Sequence, residues 1–311
     1  MVNRGKFCVA ALAVAIVAAI GTAWAASFSP VVTGLANPFG VATDASGNLF
    51  IADFGNHAVY ESLAPGYGTK TVLAGGPFGS PFGIAVDRQG NVFVTDDSDE
   101  SIKEIPAPGY TTINTLASGF TGLTGLAVDA NDNIFVADSA AATIFELKVS
   151  NYANKVVIAH VVAPFGVAVD ANANVFVTSE TNSAFNIDEF SAASGYQSEN
   201  FFGQPVADPQ GIAIDAQGDL FFSSLGGGVF KAVNLGSLVV TEVAGGFQEP
   251  LGVALDSHGN VFVANGITGA IDEIGATPLP VPALAPGGLA LLALLLGGAG
   301  WWVVRRRGTT A

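Results

Sequence analysis

Asn37-Pro38-Phe39-Gly40-Val41-Ala42-Thr43-Asp44, followed by Gly47-Asn48-Leu49-Phe50-Ile51-Ala52-Asp53, is the first of six copies of one block. The copies restart at Gly83, Gly125, Gly166, Gly211 and Gly252, at intervals of 43, 42, 41, 45 and 41 residues. In each copy two short alternating apolar runs flank a turn signal, which reads as a pair of β-strands. Short strands recurring at about 40–45 residues predict a β-propeller with one blade per repeat.

Counting from the repeat glycine, the second residue on is always alanine: Ala42, Ala85, Ala127, Ala168, Ala213 and Ala254. Glycine and alanine then share one face of the innermost strand, because side chains alternate with period two. Small residues there let strands crowd around an axis. The fourth residue on is always aspartate, and the eighth is asparagine in every copy except Asp219. This Asp-x-x-Gly-Asn run is a hairpin turn whose carboxylate accepts backbone N–H groups. The tenth residue is always phenylalanine: Phe50, Phe93, Phe135, Phe176, Phe221 and Phe262. Both faces of a blade are covered by neighbouring blades, so this set is expected to pack between them.

A third strand follows, as in Ser101-Ile102-Lys103-Glu104-Ile105, and then a fourth, as in Val239-Val240-Thr241-Glu242-Val243. The sixth repeat has no fourth strand after Ala270–Ile274, whereas a spare one, Phe28–Thr33, precedes the first repeat. The spare strand is predicted to complete the sixth blade, which removes exposed sheet edges. The fold class is therefore all-β, a six-bladed propeller of four-stranded antiparallel blades over residues 26–276.

Asn-Pro-x-Gly-Val-Ala-x-Asp, then Gly-Asn-Leu-Phe-Ile-Ala-Asp, then Asn56-His57, resembles the NHL repeat across roughly residues 28–275. That resemblance implies a six-bladed propeller that binds partners. The arginine usual after Asn-His is replaced by Ala58, Ser101, Thr143 and Ala270 in the clearer copies. The family's ion pair to the aspartate ending the second strand is therefore expected to be missing; that aspartate persists as Asp53, Asp96 and Asp138.

Loops entering the first strand and loops leaving the second should share a face. The residue before each repeat glycine should then lie near the channel mouth: Phe39, Phe82, Thr124, Phe165, Gln210 and Leu251. This ring reads either as a hydrophobic plug or as a shallow apolar site for a peptide or glycan. Similar six-bladed propellers include gluconolactonase-like and paraoxonase-like hydrolases, streptogramin lyases and peptidyl-amidoglycolate lyases, which hold a divalent metal at the channel. A hard cation needs several converging oxygens, and the ring offers one amide and one hydroxyl. The reading is thus a non-catalytic binding or scaffolding module without cofactor, with a metal-dependent lactonase or lyase as the alternative.

Asp96, Asp97, Asp99 and Glu100 form the densest carboxylate run, on the expected binding face, and read as a solvated acidic loop or a cation site. His57, His160 and His258 fall on different blades, which argues against a shared zinc site. Ser179, Ser223 and Ser224 have no evident base, so no serine triad is expected. The only cysteine, Cys8, lies in the N-terminal segment, which leaves the domain without a disulfide or thiol nucleophile.

Both ends read as targeting segments. Arg4 and Lys6, the apolar run Phe7–Ile20 and Ala23-Trp24-Ala25 form a signal peptide over residues 1–25. Residues 277–286 are proline-rich, residues 287–304 are apolar, and residues 305–311 carry Arg305-Arg306-Arg307. Eighteen helical residues would reach about 27 Å, enough for a hydrocarbon core, and the arginines would stay cytoplasmic. This layout, with Val281-Pro282-Ala283-Leu284, resembles the PEP-CTERM and IPTL-CTERM sorting signals. It implies an exosortase-like protease as a partner, and an exported domain that is anchored or released at the cell surface. Outside these ends, six Lys and Arg face 26 Asp and Glu, a formal charge of −20. Charge alone therefore excludes nucleic acid and anionic lipid as partners; proteins or polysaccharides remain.

Overall fold

The computed structural model describes residues 27–275, apart from 77, 182–183, 198, 204–205, 207 and 235–237. The signal peptide, proline-rich segment, membrane helix and basic tail expected from the sequence lie outside the described residues. Within them the chain forms six four-stranded antiparallel sheets in strand order from the centre outward. The innermost strands are Pro38–Thr43, Pro81–Val86, Leu123–Val128, Pro164–Val169, Pro209–Ile214 and Pro250–Leu255. Phe28–Val32 pairs antiparallel with Ala270–Ile274, so the N-terminal strand closes blade six as expected.

The repeat residues each meet a physical demand. A Cβ on Gly40 would lie 2.5 Å from the Phe82 carbonyl oxygen of blade two. The same clash recurs from Gly83 to Thr124, Gly125 to Phe165, Gly166 to Gln210, Gly211 to Leu251 and Gly252 to Phe39. The glycine is therefore the residue that lets each innermost strand approach the next, around the whole ring. At the turn, Asp44 Oδ1 accepts from Ser46 N and Asn48 N at 2.8 and 2.9 Å, while Asn48 Nδ2 donates to Asp44 Oδ2 at 2.8 Å. Asn48 Oδ1 then accepts from Ala64 N, tying the turn to the exit of the third strand.

The phenylalanines pack between blades, as expected. Phe50 clusters with Val92 and Val94 of blade two, and Phe262 with Leu49 and Ile51 of blade one. Four tyrosines that follow the third strands reinforce these contacts. Tyr67, Tyr110, Tyr152 and Tyr196 meet Phe262, Phe50, Phe93 and Phe135 of the preceding blade edge-on. Each hydroxyl donates to a carbonyl in the turn of its own blade, at Gly47, Gly90, Asp132 and Ala173.

Candidate functional site

Phe39, Phe82 and Phe165 gather at the mouth of the channel. The Phe39 and Phe82 ring centroids are 3.9 Å apart, and each lies 6.2 Å from that of Phe165. Phe54, from the loop after the second strand of blade one, adds a fourth ring at 5.9 Å from Phe39 and 5.7 Å from Phe82. All four are half-buried. The sequence ring thus contributes unequally. Phe39, Phe82, Thr124 and Phe165 line the mouth cavity, of about 70 Å³. Leu251 is buried, and the Gln210 amide turns to the Asp208 carbonyl at 3.4 Å; neither lines the cavity. Below the mouth, Val41, Ile84, Leu126, Val167, Ile212 and Val253 extend the apolar lining to the opposite opening.

The polar groups closest to the channel are committed to holding blades together. Thr95, Thr178 and Ser223, on the second strands of blades two, four and five, accept from Gly83 N, Gly166 N and Gly211 N. They donate to the carbonyls of Thr124, Gln210 and Leu251 in the following blade. Thr124 Oγ1 donates to Pro164 O at 3.2 Å. A hard divalent cation does not fit this channel: its lining carries no side-chain carboxylate, amide or imidazole. Among the described residues no group of three His, Cys, Asp or Glu is placed around a common point.

The second-strand aspartates face the loops entering the first strands, which confirms that the two loop sets share a side. Asp53 accepts from Ala36 N and Asn37 N, Asp138 from Thr121 N, and Asp96 from Gly79 N and Ser80 N at 2.9 and 2.8 Å. Asp96 has an ion pair of its own, from a different position than Ser101. Lys103 Nζ lies 2.6 Å from Asp96 Oδ2 and also contacts Asp99. Lys103 enters two positions beyond Ser101, opposite Val94. Burial pushes the Asp96 carboxyl up, but Lys103 and the two N–H groups outweigh it and hold it below the ordinary range. The Asp97 carboxylate accepts from Leu123 N at 2.9 Å. Glu100 ends the acidic run, exposed and left-handed at φ 50°; its N–H donates to Asp97 O and its carbonyl accepts from Phe120 N.

The three histidines stay apart. His57 Nδ1 meets Gly79 O at 2.5 Å, His160 Nδ1 meets Thr143 Oγ1 at 3.2 Å, and His258 is exposed beside Asp256. Blades four and six move their buried aspartate to the third strand, as Asp188 and Asp272. Ser179 Oγ donates to Asp188 and Asn265 Nδ2 to Asp272. Burial raises the Asp272 carboxyl, with only the Asn265 bond opposing it. A raised carboxylate opposes folding above its ordinary value, and the penalty lifts as pH falls through the folded pKa. Asp272→Asn is therefore expected to raise Tm by about 2–4 °C at neutral pH. The gain should shrink toward zero in melts at about pH 3.5, below the ordinary aspartate value.

No family model and no curated protein matches this sequence. Solved structures share its fold. A gluconolactonase from Xanthomonas campestris superposes with a TM-score of 0.69 at 19% identity, over 82% of this chain and 90% of that one. A chain of a nidogen–laminin complex gives 0.65 at 18%, over 72% and 87%. A virginiamycin B lyase from Staphylococcus aureus gives 0.57 at 13%, over 81% and 88%. Enzymes and an assembly component thus use one architecture, and at these identities the likeness shows the fold alone.

Proposed function

We propose that this chain is an exported NHL-type propeller that acts as a non-catalytic binding or scaffolding module at the cell envelope. Its contact surface is the mouth face around Phe39, Phe82 and Phe165. The observation that supports this reading is the four-ring aromatic cluster set over a channel without ionisable groups. Aromatic rings held on a rigid scaffold offer large contact area at low entropic cost, for apolar protein side chains or the C–H face of a sugar. The strong negative charge elsewhere favours solubility and disfavours polyanions. On this reading the C-terminal segment anchors the domain in the membrane until an exosortase-like protease processes it.

The competing reading, a metal-dependent lactonase or lyase, draws on the gluconolactonase and lyase neighbours. A calcium and zinc titration of the purified protein by calorimetry, with melting alongside, separates the two. Binding proteins need show no heat and no change in Tm. Stoichiometric binding with a raised Tm, followed by lactone hydrolysis, would replace our reading with the enzymatic one. For the mouth face itself, Phe39→Ala with Phe82→Ala is expected to abolish capture of the envelope partner at unchanged metal response. Undiminished capture would remove the face from the proposal.

A further inference from the structure

The four tyrosines that seal the blade interfaces define a site the fold builds repeatedly. Each places a phenol edge-on against the phenylalanine of the preceding blade, with centroids 5.6–6.4 Å apart and interplanar angles of 63–73°. Each donates its hydroxyl to the carbonyl seven residues beyond its own repeat glycine, at 2.8–3.4 Å. The chain's one remaining tyrosine, Tyr60, lies on a third strand, so blades five and six lack this residue. In blade six the fourth strand comes from the N-terminus, and residues 276–281, which follow the third strand in sequence, include no tyrosine.

The consequence is visible on the phenylalanines. Phe50, Phe93, Phe135 and Phe262, which have a tyrosine, are at most 1% exposed; Phe176 and Phe221, which have none, are each 8% exposed. Over Phe221 lies a cleft of about 500 Å³ between the turns of blades five and six, lined by Ile214, Gln217, Leu255 and Gly259 among others. Phe221 and Gly259 occupy the positions that receive ring and hydroxyl in the four filled copies. Charge also changes at this interface alone. The residue paired with the phenylalanine across the second and third strands is Glu61, Glu104, Glu146, Glu189 or Glu273 in the other blades, and Lys231 here. Lys231 bridges Asp215 and Asp219 at 3.5 and 2.8 Å, and it lines the cleft together with Asp215 and Asp256.

We propose that the cleft between blades five and six binds a phenol ring, seated against Phe221 with its hydroxyl donating to the Gly259 carbonyl. The site is on the turn face, opposite the aromatic mouth, and does not depend on the function proposed for that mouth. The ring could arrive on a small phenolic molecule or on a tyrosine of a peptide. Two probes separate these sources, 4-methylphenol and N-acetyltyrosinamide, titrated against the full protein by ligand-observed NMR. Saturable binding of either supports the site, and the tighter probe names the source. N-acetylphenylalaninamide and toluene test whether the hydroxyl is read. Equal binding by these controls, or no binding by either phenol, overturns the proposal. Phe221→Leu is expected to weaken binding about fivefold through loss of the ring contact. Gln217→Trp, at an exposed turn position, should block the cleft without touching the core. Undiminished binding to a folded Gln217→Trp variant would also overturn it.

Discussion

Gly125→Ala is expected to cost about 3 kcal/mol, near the upper end of what an added methyl costs in a close-packed site, and to lower Tm by roughly 6–12 °C. The added Cβ would lie 2.5 Å from Phe165 O, and 3.0 Å from both Gly166 Cα and Val167 N. All three atoms belong to the backbone of the neighbouring innermost strand, so no rotamer change relieves the overlap. Relief requires the two blades to move apart, and a closed ring passes that displacement to every other interface. Gly66 provides the control, since a Cβ there meets nothing within 4 Å and its φ is not positive. Gly66→Ala should therefore leave Tm unchanged or raise it slightly, by restricting the unfolded chain. Matching melts for the two variants would show that the innermost strands tolerate separation, and the packing argument would fail.

That glycine shows why the architecture was legible in the sequence. Each structural demand is met six times, so a residue such as Gly40 or Phe50 is read against five independent copies. The closing strand was legible for the same reason: a missing fourth strand in the last repeat left Phe28–Val32 without another partner. What could not be read was whatever occurs once. Lys103 reaches Asp96 because the third strand of blade two pairs Lys103 with Val94, a register that composition does not reveal. Gln210 and Leu251 share a repeat position with Phe39, yet only the bulky rings of Phe39, Phe82 and Phe165 extend over the axis. Phe54 carries no repeat signal, because the other copies have Asp97, Ser139, Glu180, Leu225 and Gly266 at that position. The inter-blade hydroxyls left a fainter signal. Thr95, Thr178 and Ser223 stand where other repeats have Ala52, Ala137 and Ala264, a polar substitution inside an otherwise apolar strand. Such an exchange on a strand buried on both faces implies a partner.

Lys103→Met is expected to destabilise the protein by on the order of 3 kcal/mol, because it strands the Asp96 carboxylate in a site with no solvent exposure. Methionine keeps much of the apolar stem that packs beside Phe78, whose ring centroid lies 5.4 Å from Lys103 Nζ. Packing loss is thereby held small, and the charge carries most of the effect. The retained N–H bonds from Gly79 and Ser80 keep the cost below that of a wholly unpaired charge. The pH dependence identifies the cause. The depressed Asp96 pKa gives stability that is present above the ordinary aspartate value near 3.9 and lost as pH falls through the folded value beneath it. Burial lowers the Lys103 pKa, but Asp96 and Asp99 more than offset it, so its share persists until pH exceeds the ordinary lysine range. The Tm gap between wild type and Lys103→Met should therefore be widest around neutral pH and narrow below about pH 4, where Asp96 in the variant becomes protonated. Adding Asp96→Asn should recover much of the loss at neutral pH, since it removes the stranded charge. A gap that stays constant from pH 3 to pH 8, with no recovery in the double variant, would reassign Lys103 to packing alone. The loop that carries Asp97 and Asp99 would then owe its position to Leu123 N and Ser80 O, the backbone groups that bind Asp97.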